Sequence, residues 1–141
     1  MSFAKNECQK LTLEDSMFSL TARERRMLEK SWAKPFAEKI FSLINEENFS
    51  VLYSDKASRP NTPVNVIVGG MVLEELMGLT DEEFMDSLLF DIRFQYALHT
   101  TSFKEQPVSD CTFSRFRRRC LTYETELTMD ICCFIRNFQG T

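Results

Sequence analysis

The sequence predicts an all-α fold, a compact bundle of about six or seven helices. Along most of the chain, apolar residues recur at spacings of three and four, which place them on one face of a helix. Two segments begin with a capping-box pattern, a Thr followed three residues later by Glu: Thr21 with Glu24, and Thr80 with Glu83. No segment alternates apolar and polar residues over the length of a strand with turn residues on both sides. These observations favour helices throughout.

The composition indicates one globular domain. The chain has 141 residues, a formal charge of −4 and 43% hydrophobic residues, a balance that argues against a disordered chain. The five cysteines form no Cys-x-x-Cys pair and His99 is the only histidine, so the ligands of a structural zinc site are missing. Charges near the N-terminus and the lack of a long apolar run argue against secretion and membrane insertion. We therefore expect a cytoplasmic protein with no cofactor, no metal and no membrane partner.

The beginning of the chain divides into an arm and the first helix. Residues 1–20 show weak periodicity and predict a flexible N-terminal arm, either mobile or loosely docked, whereas residues 21–141 are expected to form the helical domain. The helix that begins at Thr21 is expected to bring Met27 and Leu28 into apolar contacts. The domain thus starts with a capped helix.

Pro35 interrupts the next helical pattern. It predicts either a new helix that starts just before it or a kink. The predicted apolar face of this segment consists of Phe36, Ile40, Leu43 and Ile44. Residues 54–62 then form the clearest loop of the sequence.

The next helix is bounded by a proline and a glycine. Thr62 followed by Pro63 is a typical start, a cap and then a proline, and Gly78 ends the helix. Gly69 and Gly70 lie inside it, and each costs up to about 1 kcal/mol relative to Ala. This cost predicts either the close approach of a neighbouring helix or a bend.

The remaining elements follow from local signals. The helix from Thr80 continues through Phe90, residues 100–108 form a loop, and Ser109 or Asp110 caps the next helix. That helix contains residues 112–121, and a final helix covers about residues 123–138.

The charges are unevenly placed. Residues 71–91 carry seven acidic and no basic residues, whereas residues 111–120 carry four arginines and no acid. On a helical projection of the basic segment, Phe113, Phe116 and Cys120 share one side. Arg115, Arg118 and Arg119 lie on the opposite side, and Arg117 lies at the edge of the apolar side. One face therefore packs on the core, and the other presents guanidinium groups.

This amphipathic helix has several interpretations. Arginine forks bind phosphate or guanine, and residues near a helix start, here Thr112 and Ser114, commonly reach base edges. The acidic helix from Thr80 would then be the supporting helix of a helix-turn-helix-like element, a variant because residues 100–108 exceed a short turn. Alternatively, the arginines form a solvated surface or pair with the acidic segment 71–91.

Residues 59–119 resemble a known family. In order, they contain Arg-Pro, a long apolar helix, Gly-Leu-Thr-Asp-Glu-Glu, Asp-x-Arg-Phe-x-Tyr-x-Leu and Pro-x-Ser-Asp-x-Thr-Phe-Ser-Arg-Phe-Arg. Upstream, SWAKPFAEKIF and NFSVLYSD add to the similarity. This pattern resembles the InsH-like N-terminal domain of bacterial DDE-type insertion-sequence transposases.

The resemblance implies a DNA-binding domain that recognises the terminal inverted repeats of the element during DNA transposition. It implies that three acidic residues of a separate RNase H-like domain hold the catalytic metal. We expect this chain to end before such a domain and to be no enzyme, with no catalytic residue. The expected partner is double-stranded DNA at the element ends, in the bacterial nucleoid. The predicted DNA-binding residues are Thr112, Ser114, Arg115, Arg118 and Arg119. The candidate phosphate contacts are Arg23, Arg25, Arg26, Lys30 and Lys34.

A second interpretation is a protein-interaction module. The acidic segment 71–91 and the basic segment 111–120 could mediate a homodimer or docking to full-length transposase, which they could inhibit.

Other chemistry has weaker support. Glu74 and Glu75 could form a catalytic carboxylate pair, but helix capping and solvation explain the acidic residues more simply. His99 has no obvious nucleophile partner. Of the adjacent Cys132 and Cys133, one is expected in the core and the other on the surface.

Overall fold

The structure is a computed structural model that describes residues 15–53 and 62–127, together with residues 3, 5 and 6. Its α-helices are α1 (Ala22–Lys30), α2 (Ala33–Pro35), α3 (Val64–Met77), α4 (Asp81–Phe90), α5 (Ile92–Ala97) and α6 (Thr112–Leu127). A π-helical turn (Phe36–Ile40) and a 3-10 turn (Phe41–Leu43) continue α2, and further 3-10 helices span Ser16–Ser19 and Glu46–Leu52. The described residues contain no strand, so the all-α prediction is confirmed.

Both predicted capping boxes are present. Thr21 Oγ1 accepts a hydrogen bond from the Glu24 amide at 3.2 Å, and the Glu24 carboxylate accepts from the Thr21 amide at 2.7 Å. The same reciprocal pair joins Thr80 and Glu83 at 3.2 and 2.8 Å. Each box satisfies amide groups that have no partner within the first helical turn.

The central helix α3 has few side chains facing water. All of its residues from 64 to 74 except Met71 are buried, as expected of a helix that is apolar on every side. Its start needs a correction, because Pro63 itself is the N-cap residue and no side chain caps the helix. Its predicted end is confirmed, since Gly78 adopts the left-handed conformation with φ of 66°.

The two glycines of α3 admit neighbouring side chains. A Cβ atom on Gly69 would lie 2.7 Å from Leu98 Cδ2. A Cβ atom on Gly70 would lie 2.8 Å from Phe113 Cζ and 2.9 Å from Phe84 Cζ. The predicted close approach is confirmed, and it lets α4 and α6 pack directly on α3.

The segment after Pro35 departs from the predicted helical face. The Phe41 amide donates to the Phe36 carbonyl, a pairing over five residues that defines the π-helical turn. This extra residue rotates the chain, so Phe41 is buried with Phe36, whereas Leu43 is 67% exposed. The assignment of Leu43 to the apolar face was therefore wrong.

Part of the predicted arm packs on the domain. Asp15 is buried and accepts a hydrogen bond from Thr101 Oγ1 at 3.1 Å. The Ser16 amide donates to the Thr101 carbonyl at 3.0 Å. Residues 15 and 16 of the predicted arm are therefore docked on the domain through Thr101.

Two further predictions about α1 and α6 are corrected. Met27 points to solvent, and only Leu28 of α1 is buried. Helix α6 continues through the break predicted between residues 121 and 123 and extends to Leu127. The rest of the predicted final helix, with Cys132 and Cys133, lies outside the described residues, as does most of the predicted loop 54–62.

Candidate nucleic-acid interface

The inner face of α6 is fixed in the core as predicted. Phe113, Phe116 and Cys120 are all buried. The Phe113 ring meets Phe84 of α4 edge to face at 5.3 Å, and Phe116 lies 6.0 Å from Phe49. Aromatic pairs of this kind add about 0.5–1.5 kcal/mol beyond simple burial. The helix is therefore held by α3, α4 and the 3-10 helix Glu46–Leu52.

Ser109 and Thr112 form a group of hydrogen bonds at the start of α6. Thr112 Oγ1 accepts a hydrogen bond from the Ser109 amide at 2.9 Å and lies 3.0 Å from Ser109 Oγ. The Thr112 amide in turn donates to the Ser109 carbonyl at 2.9 Å. Thr112 is half-buried, and its hydroxyl bonds the residue that precedes the helix by three positions, whereas Ser114 is exposed.

The four arginines of α6 differ in their surroundings. Arg115 and Arg118 are exposed, and neither has an ion pair or side-chain hydrogen bond within the described part of the chain. Arg117 and Arg119 are partly covered and engaged by neighbouring groups. The four guanidinium groups therefore do not form a single free surface.

Arg117 bridges two acidic side chains. Its Nη1 and Nη2 donate to the two carboxylate oxygens of Asp81 at 2.8 Å, and Nη2 also donates to Glu74 Oε2 at 2.9 Å. The hydrogen bond from Arg117 lowers the pKa of Asp81. Burial, reinforced by the Asp81 carboxylate, raises the pKa of Glu74 to about 7 despite Arg117. One alternative from the sequence was that the arginines pair with the acidic segment 71–91. This pairing occurs at Arg117.

Arg119 lies against the 3-10 helix Glu46–Leu52. Its Nη1 donates to the Leu52 carbonyl at 3.3 Å, and its guanidinium carbon lies 4.8 Å from the centre of the Tyr53 ring. Burial raises the pKa of Tyr53 to about 12. Arg119 is therefore less accessible than the sequence predicts, because the fold brings Tyr53 beside it.

A cleft of about 270 Å³ opens along this flank of α6. Arg115 and Arg119 are its charged residues, and Tyr53, Gln106 and Ser109 are among the polar ones. Sequence reasoning missed Tyr53 and Gln106, because no local pattern reports which side chains meet α6 across the fold.

The second basic segment lies on α1 and α2. Four of the predicted phosphate contacts, Arg23, Arg25, Arg26 and Lys30, are exposed, whereas Lys34 is half-buried. Arg25 donates to the Met17 carbonyl at 3.0 Å. Helix α1 packs against α2, whereas α6 packs against α3, so different parts of the bundle hold the two basic segments.

Two further residues that could carry chemistry or bind a ligand, His99 and Trp32, pack against aromatic side chains of the fold. His99 has a positive φ of 55° and packs on Phe41 at a ring distance of 4.7 Å, and burial lowers its pKa. The half-buried Trp32, an aromatic residue that could otherwise stack on a base, instead packs edge to face on the buried Phe94 at 5.1 Å. The described residues contain no cluster of three metal-ligating side chains and no helix suited to spanning a membrane.

The fold and site define a small all-α domain that presents an arginine-bearing helix to solvent. The chain belongs to a family of transposase domains, the Transposase domain (DUF772), which matches residues 24–119. No curated protein and no solved structure matches it significantly. The matched range includes α1 from Glu24 onward and all four arginines of α6.

Proposed function

We propose that this domain binds double-stranded DNA at the terminal inverted repeats of an insertion sequence, as the InsH-like N-terminal domain of a DDE-type transposase. Membership of the transposase-domain family supports a role in transposition. The observation that carries the proposal is the outer face of α6, where Ser114, Arg115 and Arg118 are exposed. Such a role implies a cytoplasmic protein associated with the bacterial nucleoid.

The geometry suits a recognition helix. The apolar face of α6 is anchored by Phe113 and Phe116, so the opposite face is free to enter a major groove. Helix α4 supports α6 through Phe84 and through the ion pair between Asp81 and Arg117. We infer that α4 and α6 form a helix-turn-helix-like element in which α5 and the segment 98–111 replace the short turn.

The basic residues of α1 add a second set of contacts. Arg23, Arg26 and Lys30 are exposed and would meet the DNA backbone, because phosphate contacts fix orientation and need no base recognition.

The test is a gel shift with duplexes that carry the inverted repeats flanking the gene, compared with scrambled duplexes. Wild type should bind the repeats more tightly, and Arg118→Ala should reduce this preference because it removes a group that faces the bases. Lys39→Ala is the matched control, since Lys39 is exposed and lies outside α1 and α6. Equal binding of wild type to both duplexes would contradict repeat recognition.

A second candidate function is self-association or docking to a full-length transposase, which would make the chain an inhibitor. The observation that favours it is the end of α4, where Phe90 is 86% exposed and Leu89 is 50% exposed. Apolar groups exposed side by side are typical of interaction surfaces. Light scattering should show a dimer that Phe90→Ser converts to a monomer. A monomer in the wild type would exclude self-association.

A further inference from the structure

The cleft beside α6 has the composition of an anion site. Among the described residues, its lining includes two guanidinium groups and no carboxylate. The neighbouring cleft on the other side of residues 104–110 is different, because Glu82, Asp86, Glu105 and Asp110 line it with a single Lys104. Of these two clefts, only the one beside α6 with Arg115 and Arg119 is therefore suited by charge to an anion.

Arg119 is held in place before any ligand arrives. Its contacts with the Leu52 carbonyl and the Tyr53 ring fix the plane of the guanidinium and occupy only one of its N–H groups with a hydrogen bond. No other described residue bonds the remaining donors, so they can serve a ligand, and little side-chain entropy is lost when they are used. The Tyr53 phenol is neutral near pH 7, and burial raises its pKa further to about 12, so it does not oppose an anion.

Arg115 supplies the second donor fork. It lies four residues before Arg119, so both side chains project from the same flank of α6. Both line the cleft, whereas Arg118 does not. Arginine suits phosphate because its planar fork can donate two parallel hydrogen bonds to the phosphate oxygens.

We propose that this cleft receives a phosphate group of DNA between the guanidinium groups of Arg115 and Arg119. The proposal rests on the DNA-binding function above and divides α6 into two parts. The cleft holds the backbone and sets the position of the helix, whereas Ser114 and Arg118 on the outer face read the bases. The phosphate is either an internal phosphodiester or the monoester at a strand end, and both share the same chemistry.

The test measures binding of a fluorescent random-sequence duplex by anisotropy across a salt series. The duplex is made with 5′-hydroxyl and with 5′-phosphate ends. Arg115→Ala should reduce the slope of log affinity against log salt by about 0.9, the value for one lost phosphate contact. Arg119→Lys keeps the charge but loses the fork, so it should weaken binding severalfold with little change of slope. Lys39→Ala, which removes one charge away from the cleft, should leave the slope unchanged.

The outcomes separate the two proposals. An Arg115→Ala slope equal to that of wild type and Lys39→Ala would overturn the phosphate site and leave DNA binding intact. A wild-type chain that does not bind the duplex at low salt would overturn the proposed function itself. Tighter binding of 5′-phosphate duplexes that disappears in Arg115→Ala would support the strand-end monoester. Equal binding of both duplexes, with the slope change present, would support an internal phosphodiester. Because Arg115 is exposed and has no partner among the described residues, the variant should fold normally.

Discussion

Gly70→Ala tests the packing that holds α4 and α6 on α3. The added Cβ would lie 2.8 Å from Phe113 Cζ and 2.9 Å from Phe84 Cζ, well inside van der Waals contact. These rings are buried and already touch each other, so neither can retreat freely. Overpacking of this kind costs about 1–3 kcal/mol, and Ala regains up to about 1 kcal/mol of helix propensity. Because the new methyl group meets two buried rings at once, we take the upper part of this cost, about 2–3 kcal/mol, and expect a net loss of about 1–2 kcal/mol in the free energy of unfolding.

Urea denaturation followed by circular dichroism measures this loss, with the slope against urea as a check that both proteins unfold in the same way. The double variant Gly70→Ala/Phe113→Leu should show a smaller loss than the sum of its two single variants, because Leu frees space for the new methyl group. A Gly70→Ala protein as stable as wild type would refute the reasoning. It would mean that the two rings give way at little cost.

Two further predictions concern Glu74 and Thr80. The pKa of Glu74 rises from 4.5 in the unfolded chain to about 7 in the folded chain. The contribution of Glu74 to folding stability is therefore full below pH 4.5 and is lost as the pH rises through about 7. Wild type should therefore lose on the order of 1–2 kcal/mol relative to Glu74→Gln over this range, less than the full shift implies because Arg117 and Asp81 are partly exposed and screened by solvent, and denaturation at several pH values measures this loss. Burial lowers the pKa of His99, so the contribution of His99 to stability increases with pH. This contribution is the same in wild type and in Glu74→Gln and cancels in the comparison. The same pH dependence of stability in both proteins would contradict the raised pKa of Glu74. Thr80→Ala should cost about 1 kcal/mol by removing the cap of α4, whereas Thr80→Ser should retain most of it. Equal melting temperatures of the two Thr80 variants would exclude a role for the hydroxyl.

Local signals in the sequence predicted what depends on neighbours along the chain. The capping boxes at Thr21 and Thr80 need only residues three apart, and both formed. The π-helical turn could not be predicted, because its stability comes from burying Phe36 and Phe41 together against other helices. The helical spacing then assigned Leu43 to the wrong side.

In the candidate site too, features set by neighbours along the chain were predicted, and features set by tertiary contacts were not. Amphipathic spacing correctly separated Phe113 and Phe116 from Arg115 and Arg118. The different surroundings of Arg119 depend on Tyr53, which is far away in sequence and reaches α6 only in the folded chain. A single sequence carries no signal for such a contact, so the cleft required the structure.

The turn between Phe36 and Phe41 also bears on how this chain can change in length. A π-helical turn contains one residue more than an α-helical turn. Deleting one exposed position within it, such as Glu38, would let the former Phe41 amide pair four residues back with the Phe36 carbonyl, as in an ordinary helix. Both phenylalanines would still face inward. Loss of a single codon here would thus be absorbed locally, while the elements that follow keep their register.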